Sequence, residues 1–485
     1  MRRRSFLTRA AAVTSVAGTV LSTTARAQGR GANDEVRVAV IGCGSRGPQL
    51  ALKDLPKADN ARVVVACDVD AVRAREFAAK CGNVPTETDY RKVLERDDVD
   101  AVLIATPNHT HVLIAAAACV AGKDVYVEKP LSHNIREGRY LAEVARKTGR
   151  IVQVGLQNSS DKGLLPAKEF FESGALGAPK AVHVFWYRTR NPIGKVKQPT
   201  PVPGEIDYDL FQGPRPLAPL MRENLHYDWH WFWPTGNGEI GNTLVHNIDH
   251  TRILLGLKGH ATGVRTVGGR LGWDDDGETP NTFLAAVQFP GWDVPFTCES
   301  RNLPFSNERK EMDSRFMRRT VGTIVFCENG WLYFDRGGGA AFDKQDKEIK
   351  RFPGDAGATH LANFIDAVRS RDEKSLKRGV EEGHFSACVA HMANISHRIG
   401  VQGHTIETVE KEAPPEILAA SEAWASFKKH ISDVNIDLTR TSLTLGASLR
   451  FDPATESFRE TTEQGRMANY LLDDVYRPPF ALPKV

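Results

Sequence analysis

The strongest constraint on this chain is a glycine-rich hexapeptide, Gly42-Cys43-Gly44-Ser45-Arg46-Gly47, directly behind the apolar run Val36-Arg37-Val38-Ala39-Val40-Ile41. Such a run reads as a buried parallel strand, and the residues past the glycines read as helix. In that strand–turn–helix setting each glycine has its own role. Gly42 permits the tight turn, Gly44 lets the backbone approach a pyrophosphate, and Gly47 lets helix and strand pack closely, with phosphate at the helix N-terminus. A second apolar strand, 62–67, ends at Asp68, twenty-one residues beyond Gly47. An acid at about that spacing, ~20 residues, accepts hydrogen bonds from the adenosine ribose. Its charge repels a 2′-phosphate, so the expected cofactor is NAD rather than NADP. Arg46 either touches a phosphate or is an exposed helix arginine.

Strands and helices then alternate at short spacing. Residues 71–80 read as helix, 101–105 as strand, 111–121 as helix, 124–127 as strand, 135–148 as helix and 151–154 as strand. This is the pattern of a doubly wound parallel sheet, an α/β fold. Past Gly155 the character changes. Long strands with two-residue alternation (181–187, 282–289, 292–299) and a short one (331–334) alternate with proline-rich loops, and 360–371 and 380–399 read as helices. The expectation is a Rossmann domain over 28–155, followed by a C-terminal α+β domain over 156–485 with a large, mainly antiparallel sheet.

Residues 1–27 read as a targeting segment rather than as fold. Arg3-Arg4-Ser5-Phe6-Leu7 is a twin-arginine pattern, an apolar run follows to Leu21, and Ala25-Arg26-Ala27 has the small-x-small form of a cleavage site. The apolar run is shorter than the ~20 residues a bilayer span needs. The expected location is therefore periplasmic, with no membrane role beyond export. Because this route carries folded proteins, the cofactor can travel with the chain. The formal net charge of +3 in 485 residues sits largely in that leader, which leaves no field to attract nucleic acid and suits a small neutral partner. Seven cysteines without a C-x-x-C or mixed Cys/His zinc spacing read as free, buried thiols. No metal site is expected. The acidic loop Asp274-Asp275-Asp276-Gly277 lacks the rest of a calcium-loop pattern and reads as a solvated turn.

Three further motifs follow the glycine loop: Ala105-Thr106-Pro107-Asn108-His109-Thr110-His111, Glu128-Lys129-Pro130, and Gly241-Asn242-Thr243-Leu244-Val245-His246-Asn247-Ile248-Asp249. Together they resemble the Gfo/Idh/MocA oxidoreductases, from Val36 onwards. The resemblance implies NAD-dependent oxidation or reduction of a CH–OH group on a sugar or polyol, with NAD tightly held, and a homo-oligomer. It implies that Lys129, preceded by Glu128, acts beside the nicotinamide and the substrate hydroxyl. It also implies that Thr106, Pro107, Asn108 and His111 pass the nicotinamide side and that Gln157 lies near the ribose. His246 matches the family's catalytic histidine. Asn242 stands where the family commonly has Asp, four residues earlier. An amide can orient a hydroxyl but cannot take its proton, so the proton role falls on Lys129 or His246. Asp249, three residues past His246, is expected to orient its ring.

The run His226-Tyr227-Asp228-Trp229-His230-Trp231-Phe232-Trp233 is either core or a carbohydrate wall, with Trp231 as the expected stacking residue. Two other functions fit the same residues. A bound NAD that oxidises a sugar transiently can assist glycoside cleavage and be restored, and the fold can also serve a non-catalytic sugar-binding protein.

Overall fold

The computed structural model describes residues 35–412, 421–437 and 442–485. The expected leader lies outside them. Among the described residues no helix is long and apolar enough to cross a membrane.

The first domain is a six-stranded parallel sheet in the order β3-β2-β1-β4-β5-β6. Its strands are β1 (Val36–Ile41), β2 (Ala61–Cys67), β3 (Thr86–Glu87), β4 (Ala101–Ile104), β5 (Asp124–Glu128) and β6 (Val152–Gly155). The helices between them are α1 (Ala71–Lys80), α2 (Tyr90–Leu94), α3 (His111–Val120) and α4 (Ile135–Thr148). Successive side chains of a strand point to opposite faces, and β1 uses both. Val36, Val38 and Val40 join one core layer, Ala39 and Ile41 the other. That is why the run has no polar alternation.

The second domain carries a twelve-stranded sheet, whose path runs β14-β13-β12-β11-β7-β10-β9-β8-β16-β15. It includes β7 (Pro179–Tyr187), β8 (Gly263–Gly269), β9 (Thr282–Gln288), β10 (Phe296–Arg301) and β11 (Val321–Cys327), then β12 (Gly330–Asp335), β13 (Gly338–Asp343), β14 (Glu348–Pro353), β15 (Val401–His404) and β16 (Leu443–Leu445). The sheet is mainly antiparallel, as expected, and is mixed through one parallel pair, β7 with β10. One face is covered by α5 (Leu164–Glu172), α6 (Val245–Leu254) and α8 (Val380–Arg398). Part of the other face is covered by α9 (Ser421–Asp433), which seats Trp424, Phe427 and Ile431 on Val267, Leu284 and Ala286.

Two expectations change. Strand β10 begins at Phe296, not Trp292, since Trp292 turns back to donate its N–H to Phe289 at 3.2 Å, around Gly291 at φ +69. The boundary after Gly155 is also not a clean cut. Helix α7 (His360–Ser370) returns to the first sheet and packs Leu361, Phe364, Ile365 and Val368 against Val36, Val38 and Val40. Each such side chain stabilises by roughly 1.5–3 kcal/mol when fully buried, so this helix is built into the nucleotide domain.

Candidate active site

A cleft of about 830 Å³ runs along the carboxyl ends of β1, β2, β4 and β5, between the two domains. Its size and place are those of ligand crevices in open α/β sheets.

The glycine turn fits a dinucleotide. Gly42 sits at φ +101, and a Cβ there would lie 2.5 Å from the Ala105 carbonyl oxygen. A Cβ on Gly47 would meet the Gly42 oxygen at 2.0 Å. Neither position admits a side chain without moving backbone, so the tight turn and the close packing of helix on strand both need glycine. Ser45 and Arg46 line the cleft at the start of the short helix Arg46–Gln49. Asp68 ends β2 and closes the turn: its Oδ2 accepts the Cys43 N–H at 2.6 Å and its Oδ1 the Asp70 N–H at 2.9 Å. Burial pushes its carboxyl up, against these two amides. Both oxygens keep a lone pair for ribose hydroxyls.

Past β4, Thr106, Pro107, Asn108 and His111 all line the cleft. His111 joins two loops, with Nδ1 2.8 Å from the Pro130 carbonyl and Nε2 2.9 Å from that of Thr106. This fixes the Glu128-Lys129-Pro130 turn to the β4–α3 loop; the Lys129–Pro130 peptide is cis. The Asn108 amide is spent on the fold and donates to Asn237 Oδ1 at 2.9 Å.

At the other end, Lys129 Nζ meets Asn242 through its main-chain carbonyl and, at 3.4 Å, its side-chain Oδ1. Burial lowers the Lys129 pKa, against the Glu128 charge that raises it. Glu128 also lines the cleft. Its Oε1 accepts from Arg46 Nε at 2.7 Å and Gln157 Nε2 at 2.9 Å. Burial would raise its carboxyl, but the Arg46 and Lys129 charges prevail and hold it below the usual range.

Asn242 lies in a π-helical turn, Ile240–Leu244, that runs into α6. Such turns re-aim side chains and gather at functional sites. Asn242 faces the cleft, whereas His246 stands beyond it, half-buried, with a buried Nδ1 that has no partner. Burial, then the Lys129, Arg46 and Arg336 charges, pushes its pKa well down, so the imidazole is neutral.

Three expected contacts are corrected. Asp249 does not orient His246: its Oδ1 accepts from Arg378 Nε and Ser386 Oγ, both at 2.7 Å, in the buried core. Gln157 does not reach the cleft. Its amide is held behind Glu128 by that carboxylate and by the Tyr126 hydroxyl at 2.6 Å. Trp231 is not the exposed wall, because it is buried beneath Arg190, whose guanidinium lies 5.8 Å from the ring centroid.

The rest of the aromatic run does form a wall. His226, Tyr227, Trp229 and His230 line the cleft, with Trp229 and His230 stacked at 3.6 Å between centroids. The His230 Nδ1 donates to the Tyr227 carbonyl at 2.6 Å, which leaves Nε2 as the acceptor. Burial pushes this ring's pKa down to about 3. Behind the wall Arg190 bridges Glu239 at 3.0 Å and the Tyr227 hydroxyl at 3.0 Å. Sequence reasoning missed both Arg190 and Glu239, which meet only in the fold.

Away from the cleft, His260, His384 and Cys388 come together in the buried core, a grouping their spacing in sequence does not signal. Glu456 accepts from His260 Nε2 at 2.8 Å and His384 Nε2 at 3.2 Å. Cys388 Sγ is almost equidistant from the two His384 nitrogens, 3.5 and 3.6 Å, so it lies in line with neither lone pair. The Glu456 carboxylate ties the two histidines of this cluster together.

Residues 36–156 match the Gfo/Idh/MocA model for the oxidoreductase family's NAD-binding Rossmann fold, and residues 162–267 match the model for its C-terminal alpha/beta domain. An inositol 2-dehydrogenase of Saccharopolyspora erythraea is 35% identical over 167 residues, 34% of this chain and 49% of that protein. The scyllo-inositol 2-dehydrogenase (NAD(+)) of Bacillus subtilis is 34% identical over 145 residues, 30% and 42% of the two chains. The alignments thus span half or less of these relatives. Two solved structures share the fold. Levoglucosan dehydrogenase in complex with NADH has a TM-score of 0.54 at 18% identity, covering 73% of this chain and 95% of that one. The WlbA dehydrogenase of Bordetella pertussis, in complex with NADH and UDP-GlcNAcA, has a TM-score of 0.54 at 18% identity, covering 74% and 94%.

Proposed function

We propose, from the premise that both domains of this chain are those of the Gfo/Idh/MocA oxidoreductases with NAD as cofactor, that it transfers hydride to or from a CH–OH carbon of a sugar or polyol. The observation that carries this reading is the meeting of Lys129 and Asn242 at one end of the dinucleotide cleft, beside the wall of His226, Tyr227, Trp229 and His230. The wall supplies aromatic faces for sugar C–H groups and imidazoles for hydroxyls.

NAD, when bound, supplies the hydride acceptor. The substrate hydroxyl must lose its proton as the C–H bond breaks, and Lys129 is placed to receive it. As a neutral amine Lys129 has two N–H groups, which match the two Asn242 oxygens, and its lone pair is then left for the substrate. Asn242 carries no charge to hold the ammonium form, as Asp would. In this reading His246, kept neutral by burial, takes over that single proton from Lys129 or accepts a hydrogen bond from a second hydroxyl.

Export by the twin-arginine route, a periplasmic site of action, tight retention of NAD and association with a second copy belong to the same proposal. They rest on the leader sequence and the family resemblance. The test is incubation of the purified holoprotein with a panel of sugars, polyols and glycosides, following nicotinamide absorbance and released products together. Reduction of NAD without cleavage supports the dehydrogenase. Cleavage without net reduction favours the redox-assisted glycosidase, and silence in both channels favours a binding protein.

A further inference from the structure

The mouth of the dinucleotide cleft is crossed by a segment of the second domain. Residues 202–215 lie over the loop after β2, which would hold the adenosine ribose, and over the loop after β4. On the β2 side, the Ala71 N–H donates to the Glu205 carbonyl at 3.0 Å and the Asp207 N–H to the Val69 carbonyl at 2.9 Å. These loci follow Asp68 directly. On the β4 side, His109 Nε2 is 2.9 Å from the Phe211 carbonyl, and the Thr110 methyl stands against Gly213. Leu210, Phe211 and Gly213 line the cleft from above. The strap has its own small core of Ile206, Phe211, Leu220 and Leu225.

A second piece holds the strap down. The Arg477 N–H donates to the Pro214 carbonyl at 2.9 Å. Its guanidinium donates to the carbonyls of Arg215 at 2.8 Å and Asp209 at 3.1 Å, and pairs with the Asp209 carboxylate at 2.9 Å. Three residues on, Phe480 is buried to 3% exposure, lies under Arg477 and lines the same cleft as Asp68, Thr88 and Tyr90. Residues 268–485 lie beyond both family-model matches.

We propose that this strap and latch complete the dinucleotide site: Phe480 is a wall of the adenosine end, and Arg477 is the latch that must release Asp209–Arg215 before the cofactor enters or leaves. The two roles have different kinetic signatures. A latch changes the rates of entry and exit together, since it sets the open fraction of the cleft. A contact residue acts on exit, because it stabilises only the bound state. The inference rests on NAD binding and not on the sugar chemistry, so failure of the proposed reaction leaves it standing.

The test uses the full chain loaded with adenine-labelled NAD and diluted into excess unlabelled NAD, with thermal unfolding of each variant as a fold control. Arg477→Ala is expected to speed both release and uptake by at least about 10-fold, with Kd changed by less than about 3-fold. Phe480→Ala is expected to speed release by about 10-fold or more while uptake changes little. Asp209→Asn, which removes the ion pair but keeps the polar side chain, should fall between wild type and Arg477→Ala. Release and uptake rates equal to wild type in folded Arg477→Ala and Phe480→Ala would overturn the proposal.

Discussion

Lys129 Nζ is held by both oxygens of Asn242, the main-chain carbonyl and the side-chain Oδ1 at 3.4 Å. An amide at this position makes the contact without a charge, and burial already pushes the Lys129 pKa down. The pair therefore favours the ammonium form less than a Lys–Asp pair would.

Asn242→Asp should reverse that bias. A carboxylate within hydrogen-bond reach favours the ammonium form and raises a lysine pKa by about 1–3 units. Because the amine is the active form, the rate rises as pH rises through the Lys129 pKa. The limb should move to higher pH in the variant, while activity at high pH is kept. The pH profile of kcat measures this; an unmoved limb would place the titrating group elsewhere.

Asp68→Ala removes the ribose acceptor and the repulsion of a 2′-phosphate together. NAD affinity should fall and the preference over NADP should shrink, as read by titrating cofactor-stripped protein with each nucleotide. The same change frees the Cys43 and Asp70 amides, so a modest loss of thermal stability should accompany it.

Asp249 gives the contrasting case. Its carboxylate pairs with Arg378 in the core and does not touch His246. Asp249→Ala leaves the Arg378 guanidinium with only its longer Glu382 contact at 3.7 Å, so the cost stays below the about 3–5 kcal/mol of an unpaired buried charge. Chemical denaturation should show that loss, and the pH profile of any folded fraction should keep its wild-type midpoint. A shifted midpoint would restore a role for Asp249 beside the histidine.

The nucleotide half was legible because its signals are local. The strand, glycine turn and acid of residues 36–68 specify a structure within one stretch of chain, and β1, β4 and β5, buried on both faces, read as continuous apolar runs. The second domain was harder. Strand β13 is Gly338-Gly339-Ala340-Ala341-Phe342-Asp343 and β14 is largely exposed, so neither offers β-branched alternation. Helix α7 has a clear apolar face, but nothing local says which domain that face meets. At the site, the π-helical turn at Ile240–Leu244 breaks the simple four-residue spacing of Asn242 and His246. The aromatic wall was visible as a run, but in a 3-10 turn such as Asp228–Trp231 no helical or strand period says which rings face inward. Arg190 and Glu239 pair across 49 residues, which no local pattern records.

The proposed twin-arginine leader can be tested separately. Replacing Arg3 and Arg4 by Lys should hold the protein in the cytoplasm, because the signal is read by a receptor rather than by charge alone. Fractionation of cells carrying each form is the measurement, and normal export of the double variant would contradict the assignment.

Whether Lys129 takes the substrate proton in a hydride transfer is read by single-turnover reduction of bound NAD. Wild type and Lys129→Ala, each loaded with NAD, are mixed with a sugar that is active in the panel. The variant should bind NAD almost as wild type does, since the glycine turn and Asp68 lie at the other end of the cleft, and should reduce NAD about 10²–10⁴-fold more slowly, the usual contribution of a positioned acid or base. Equal single-turnover rates in the two proteins would contradict it.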